Sequence, residues 1–253
     1  MTISVEIINQ LSDNYSYLIS SNKDNSSIII DPAESDKILN VLKEKKLNLS
    51  YIFITHHHSD HTSGVADLVR AYPEVKVFSP SELNSISVNV ISDSNKITTN
   101  LNEFEIIHTP GHTLDHIVLC DLKNNLLFVG DVLFRLGCGR VFEGTLEQMH
   151  SSLIKLLDLS DRMLVYCGHE YTLNNLKFLE HIFKKNKILE SVKKDIINDL
   201  NSKTRSIPFY LGDEKKCNPF LNQNCEMALE LRSKNNYSDF EFFKYLRQEK
   251  DSF

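Results

Sequence analysis

Apolar residues recur along the first two-thirds of the chain in short β-rich runs separated by helical spacings. Residues 4–8, 15–20 and 26–30 read as strands, the last ending at Asp31-Pro32, a turn signal. Residues 34–45 set Ile38, Leu39, Val41 and Leu42 on one face of a helix. Residues 49–55, with Tyr51, Ile52, Phe53 and Ile54, read as a buried strand; a helix over 65–71 and a strand over 75–78 come next. From 84 to 131 the pattern is mostly strands, clearest at 104–108, 116–121 and 126–129, with Asn124-Asn125 as a tight hairpin turn before the last. Thr145 with Gln148 is a capping box that opens a helix to about Leu157, and 163–167 is one more strand.

Beyond Tyr171 the pattern changes. Residues 173–184, 188–202, 226–234 and 239–250 carry helical periodicity, the last opened by Ser238 with Glu241. Residues 207–221, holding Pro208, Gly212 and Pro219, read as a loop, and no strand is expected after 171. The expectation is an α+β chain of two parts. A layered sheet-and-helix domain covers 1–171, and a smaller all-helical domain covers 172–253.

Composition narrows the function classes. The chain has 253 residues, 41% hydrophobic and 25% charged, which is globular composition rather than disorder. A net charge of −6 argues against a globally basic nucleic-acid binder. No apolar run is long enough to span a bilayer, and the first residues lack a basic n-region. The five cysteines are odd in number and lack C-x-x-C spacing, which points to a reducing cytoplasm rather than a disulfide framework.

The ten histidines are clustered. Thr55-His56-His57-His58-Ser59-Asp60-His61 comes directly after the predicted core strand. In an extended segment His56 and His58 point one way and His57 the other, while Asp60 and His61 fall where the chain turns into the next helix. Imidazole and carboxylate without thiolate suit zinc, iron or manganese in an open site. His112, Asp131 and His169 each lie just past a predicted strand end and next to glycine, where loops gather functional groups. Singly, each is more often structural; with the histidine run they read as ligands. His108, His116, His150 and His181 lack that context. The set His56, His58, Asp60, His61, His112, Asp131 and His169 exceeds what one four-coordinate ion takes and suits two ions sharing a carboxylate. Hydrolysis by an activated water is the chemistry implied.

The motifs T-H-H-H-S-D-H, T-P-G-H-T, G-D and C-G-H-E-Y resemble the metallo-β-lactamase superfamily over the first two-thirds of the chain. A closer resemblance, to the glyoxalase II (hydroxyacylglutathione hydrolase) family, runs nearly end to end. It rests on Leu11-Ser12-Asp13-Asn14-Tyr15, on Gly137 to Thr145, on Asn218-Pro219-Phe220 and on Leu246 to Asp251. The resemblance implies an αββα sandwich with the helical domain behind it. It implies one divalent ion on His56, His58 and His112, a second on Asp60, His61 and His169, and Asp131 bridging. Zinc is the first expectation, with iron and manganese as alternatives. The implied reaction is hydrolysis of S-(2-hydroxyacyl)glutathione thioesters, chiefly S-D-lactoylglutathione, to D-lactate and glutathione, a step of methylglyoxal detoxification. Asp60 and Asp131 are the expected catalytic carboxylates. Arg140, Arg247 and Lys250 are the expected cations for the substrate carboxylates, Tyr171 a hydrogen-bonding group and Phe142 an apolar contact. The expected protein is a cytoplasmic monomer with no nucleic-acid or membrane partner. Persulfide oxidation and lactone hydrolysis are rival chemistries on the same ligands, and a binding protein that kept the fold is a non-enzymatic rival.

Overall fold

The structure, a computed structural model, describes residues 3–84 and 86–253. The chain divides into two compact units, one running to His108 with Asp115–Asn124, the other made of Thr109–Leu114 with Asn125–Phe253.

The first unit holds β1 (Ile3–Gln10), β2 (Asn14–Ser21), β3 (Ser26–Ile30), α1 (Asp36–Glu44), β4 (Asn48–Phe53), α2 (Ser59–Thr62), α3 (Val65–Ala71), β5 (Lys76–Ser79), β6 (Asn89–Val90), β7 (Lys96–Thr98), β8 (Glu103–His108) and β9 (Ile117–Asp121). Strands β1 to β6 form one sheet in sequence order. β1, β2 and β3 pair antiparallel, and β3 to β6 pair parallel. Parallel strands covered on both faces need unbroken apolar runs, which is why Ile28-Ile29-Ile30 and Ile52-Phe53-Ile54 show no alternation. Ile29, Ile52, Ile54, Ile38, Leu42, Val65 and Leu68 share one core. The register Ile30↔Phe53 brings β3 and β4 to a common edge. Asp31 therefore leaves β3 beside the segment that carries the histidine run out of β4. β7, β8 and β9 form an antiparallel ribbon.

The second unit holds β10 (Leu126–Gly130), β11 (Leu133–Phe134), β12 (Gly137–Cys138), α4 (Leu146–Leu157), β13 (Leu164–Cys167), α5 (Thr172–Ile182), α6 (Lys187–Lys203), β14 (Phe209–Tyr210), α7 (Leu211–Cys217), α8 (Glu226–Lys234) and α9 (Asp239–Ser252). β10 and β13 pair parallel, so Asp131 and His169 both lie past strand ends at one edge. The capping boxes of Thr145–Gln148 and Ser238–Glu241 form as the sequence predicts.

Two expectations fail locally. The region 207–221 is not a plain loop: Phe209 pairs with Val165 as β14, and α7 comes next with Leu211, Glu214 and Cys217 buried. A two-residue strand and a seven-residue helix leave too short a periodicity to read, and β14 owes its existence to a distant partner. The turn before β10 spans 122–125 rather than two residues, with Asn125 at φ 55°.

All five cysteines are buried, and among the described residues no disulfide forms. Among the described residues no helix is long and apolar enough to cross a membrane.

Candidate active site

The two units each carry part of the expected ligand set. In the first, β4 runs through Ile54 and Thr55 into His56, which is fully buried. Asp31 organises the start and end of the histidine run. Its Oδ1 accepts the Thr55 N–H at 2.8 Å, and its Oδ2 accepts the Thr55 hydroxyl at 2.7 Å and the His61 Nδ1–H at 3.0 Å. Thr55 spends its one hydroxyl proton on Asp31, so its Oγ1, 3.0 Å from His56 Nδ1, accepts from that imidazole. Both imidazoles are thereby held in the tautomer that leaves the lone pair on Nε2, the state a metal requires. His56 Nε2 lies 3.1 Å from His58 Nδ1. Asn14, from the Leu11–Tyr15 motif, donates to Asp60 Oδ2 at 3.0 Å and to the Asp60 carbonyl at 3.2 Å, which fixes that carboxylate. His57 turns outward, as the alternation predicts, and meets Asp115 Oδ1 at 2.9 Å. His116 is buried with its ring centre 5.1 Å from that of His56, a proximity that strand alternation does not reveal.

In the second unit, His112 donates from Nδ1 to the Arg140 carbonyl at 2.8 Å, because a carbonyl can only accept. Its Nε2, which carries the lone pair in the neutral ring, sits 3.4 Å from Asp131 Oδ2, while His169 Nε2 sits 3.3 Å from the same oxygen. All three side chains are buried. Two ring nitrogens facing one carboxylate oxygen at this range call for a ring proton or a metal ion between them. Ligand atoms about 2.0–2.1 Å from a tetrahedral ion stand about 3.3–3.4 Å apart, so this donor set fits a divalent metal. The chain thus carries His and Asp groups able to hold such an ion.

Burial makes the five thiols poor acids. Burial pushes Cys120 up to about 12 and Cys225 up to about 11, and it raises Cys138, Cys167 and Cys217 as well. None supplies a thiolate at neutral pH.

The expected substrate residues fall in the second unit in different settings. Arg140 is 60% exposed, with its Nε 3.7 Å from Asp251 Oδ1 and its guanidinium 5.6 Å from the centre of the Phe142 ring. Phe142 is exposed and packs edge-on to His112 at 5.2 Å. Tyr171 is half-buried and stacks on the His169 ring at 4.6 Å. Lys250 lies 4.9 Å above the Phe178 ring. Arg247 differs: only 4% of its side chain is exposed, and its guanidinium donates to the Cys138 carbonyl and to Asp251.

Residues 11–87 and 87–169 match the family model of the metallo-beta-lactamase superfamily, which sets the class of protein. Residues 170–253 match the model described as hydroxyacylglutathione hydrolase C-terminus. The chain is 38% identical over 247 residues to a hydroxyacylglutathione hydrolase of Pectobacterium atrosepticum, covering 96% of this chain and 97% of that one. It is 39% identical over 260 residues to a hydroxyacylglutathione hydrolase of Pseudoalteromonas translucida, covering 99% and 100%. A solved metallo-beta-lactamase structure from Staphylococcus aureus is 21% identical, with a TM-score of 0.67 over 98% of this chain and 71% of that one, and shows the shared fold. The chain belongs to the hydroxyacylglutathione hydrolase family within that superfamily.

Proposed function

We propose that the protein hydrolyses S-(2-hydroxyacyl)glutathione thioesters, chiefly S-D-lactoylglutathione, to D-lactate and glutathione. One observation carries the reading: a nearly full-length likeness to hydroxyacylglutathione hydrolases comes with His and Asp groups in this chain that could hold divalent ions.

In this reading His56, His58 and His112 hold one divalent ion, Asp60, His61 and His169 hold a second, and Asp131 is shared. Zinc is the proposed occupant, with iron and manganese compatible with the same donors. A bound pair of such ions supplies a water that deprotonates near neutral pH and Lewis acidity toward a carbonyl oxygen. Asp60, held by Asn14, orients the attacking water. Attack at the thioester carbonyl breaks the C–S bond, and glutathione leaves as a thiolate that takes a proton from solvent. A thiolate is a good leaving group, so no protein general acid is required.

Arg140 and Lys250 supply positive charge for the two glutathione carboxylates. Tyr171 offers a hydroxyl to the peptide part, and Phe142 offers an apolar face. Arg247, three residues before Lys250 on the same helix, is proposed to add to that positive charge. The segment 172–253 is the proposed substrate-binding domain and 1–171 the catalytic one. Cytoplasmic location fits five buried cysteines with no disulfide among the described residues. The absence of a nucleic-acid partner fits the net charge of −6. A monomer acting without a membrane partner completes the proposal, and sizing by light scattering tests the first part of it.

The deciding experiment tracks the loss of S-D-lactoylglutathione by absorbance, with metal analysis of the same preparation. Thioester cleavage that vanishes with chelation and returns with zinc is the expected result. Full-rate cleavage by metal-depleted protein overturns the reading.

A further inference from the structure

The backbone between Asp131 and Arg140 is held partly by its own hairpin and partly from outside it. β11 and β12 pair as Leu133↔Cys138 and Phe134↔Gly137, which leaves the turn and the flanking carbonyls to find other partners. Helix side chains supply them. Asn175 of α5 donates to the Arg135 carbonyl at 2.9 Å. Asn218, at the end of α7, donates to the Phe134 carbonyl at 3.2 Å and the Gly137 carbonyl at 3.0 Å. Glu214 of α7 accepts the Leu136 N–H at 2.7 Å. Arg247 of α9 donates to the Cys138 carbonyl at 3.1 Å and the Gly139 carbonyl at 3.4 Å. Asn175, Glu214, Asn218 and Arg247 are all buried.

The held segment is strained and tight. Leu136 sits at φ 60°, a left-handed backbone that costs a non-glycine residue roughly 1–2 kcal/mol and persists only where its surroundings enforce it. A Cβ on Gly139 would meet the Asp131 carbonyl oxygen at 1.8 Å, so the two backbones are in direct contact there. One end of the segment is Asp131. The other is the Arg140 carbonyl that fixes the His112 tautomer.

We propose that Asn175, Glu214, Asn218 and Arg247 form a clamp through which the helical segment positions the metal ligands Asp131 and His112. The clamp rests on the ligand assignment made above and deepens it: the helices then serve the metal centre itself, besides the substrate. Arg247 acts here as a positioning residue, through its donors to the Cys138 and Gly139 carbonyls.

Arg247→Met tests this, because it keeps an aliphatic stem of similar length and removes the donors together with the guanidinium that lies 5.6 Å from the Phe220 ring centre. The probe is Co²⁺, bound to the full-length protein in competition with a chromophoric chelator. The expected result is a 10- to 100-fold loss of Co²⁺ affinity, roughly the usual effect of removing a partner that orients a ligand. A changed visible Co²⁺ spectrum and a lower kcat accompany it, with partial rescue by Arg247→Lys. Asn175→Ala, which deletes a single carbonyl contact, shifts affinity in the same direction and covers the case in which Arg247→Met does not fold. Co²⁺ affinity and spectrum unchanged in the variants, with only KM raised in Arg247→Met, overturns the clamp and leaves the ligand assignment standing. Wild-type protein that binds no Co²⁺ overturns the assignment itself.

Discussion

Asp31 Oδ2 lies 3.0 Å from His61 Nδ1, both groups almost fully buried, and the same carboxylate takes both protons that Thr55 can donate. One acid thereby sets two imidazoles, His61 directly and His56 through Thr55. Replacing Asp31 by alanine leaves three buried donors without an acceptor, at about 1–3 kcal/mol each. The expected outcome is a lower Tm and roughly a 10- to 100-fold loss of metal affinity. Asp31→Asn, which still accepts but mis-sets the tautomer, separates the two effects by losing metal with less loss of Tm. Metal content equal to wild type in both variants, read by mass spectrometry after dialysis, removes Asp31 from this role.

His58 and Asp131 give the direct test of the ligand set. His58→Ala and Asp131→Ala are each expected to bring thioester turnover to background and to lower the metal content per chain. The Asp131 variant is expected to lose more, since one oxygen of that carboxylate faces both His112 and His169. Turnover and metal content have to fall together. An Asp131 variant that keeps its metals yet loses activity points to a catalytic carboxylate that is not a ligand.

Much of the site was legible in the sequence because its motifs are local. The run His56–His61 comes after a core strand whose apolar stretch is unmistakable, and His112, Asp131 and His169 each sit shortly past a strand. Asp31 was legible only as part of a turn. Its meeting with His61 depends on the parallel register of β3 with β4, which no single-strand pattern encodes. Arg247 and Lys250 share a helical spacing, yet one is buried and the other half-buried, because burial is decided by what α9 packs against rather than by periodicity. The strand β14 was missed for the same reason.

Lys250 gives a pH signature. Burial, with Arg247 nearby, pulls its ammonium down to about 8 from the usual 10.5. If it binds a substrate carboxylate, KM is flat below about pH 7, doubles near pH 8 and is raised at least several-fold by about pH 9.5 as the charge is lost. Lys250→Arg keeps its charge throughout, so its KM stays flat over the same range. Lys250→Ala has a raised KM with no such dependence. Initial rates from about pH 6.5 to 9.5, corrected for spontaneous thioester hydrolysis, decide it. Identical profiles for wild type and Lys250→Arg remove Lys250 from substrate binding.

Glu214 links pH to stability instead. Burial raises its carboxyl from 4.5 to about 7, against the opposing pull of the Leu136 N–H, of Arg135 and of the Asn218 amide. Between those two values the folded chain therefore holds a proton that the unfolded chain has already released. Stability from this group is full below about 4.5 and declines as pH rises through about 7. The lost contribution is on the order of 3 kcal/mol, roughly 5–10 °C in Tm for a chain of this size. Glu214→Gln does not titrate, so it escapes the decline while keeping the shape and one acceptor oxygen. The difference in Tm, variant minus wild type, is expected to climb steadily from about pH 4.5 to 7.5 and then level off. A difference that is flat across that window, measured by calorimetry in buffers of low ionisation enthalpy, means that Glu214 is charged in the folded protein throughout and that its bonds to Leu136 and Asn218 fully offset its burial.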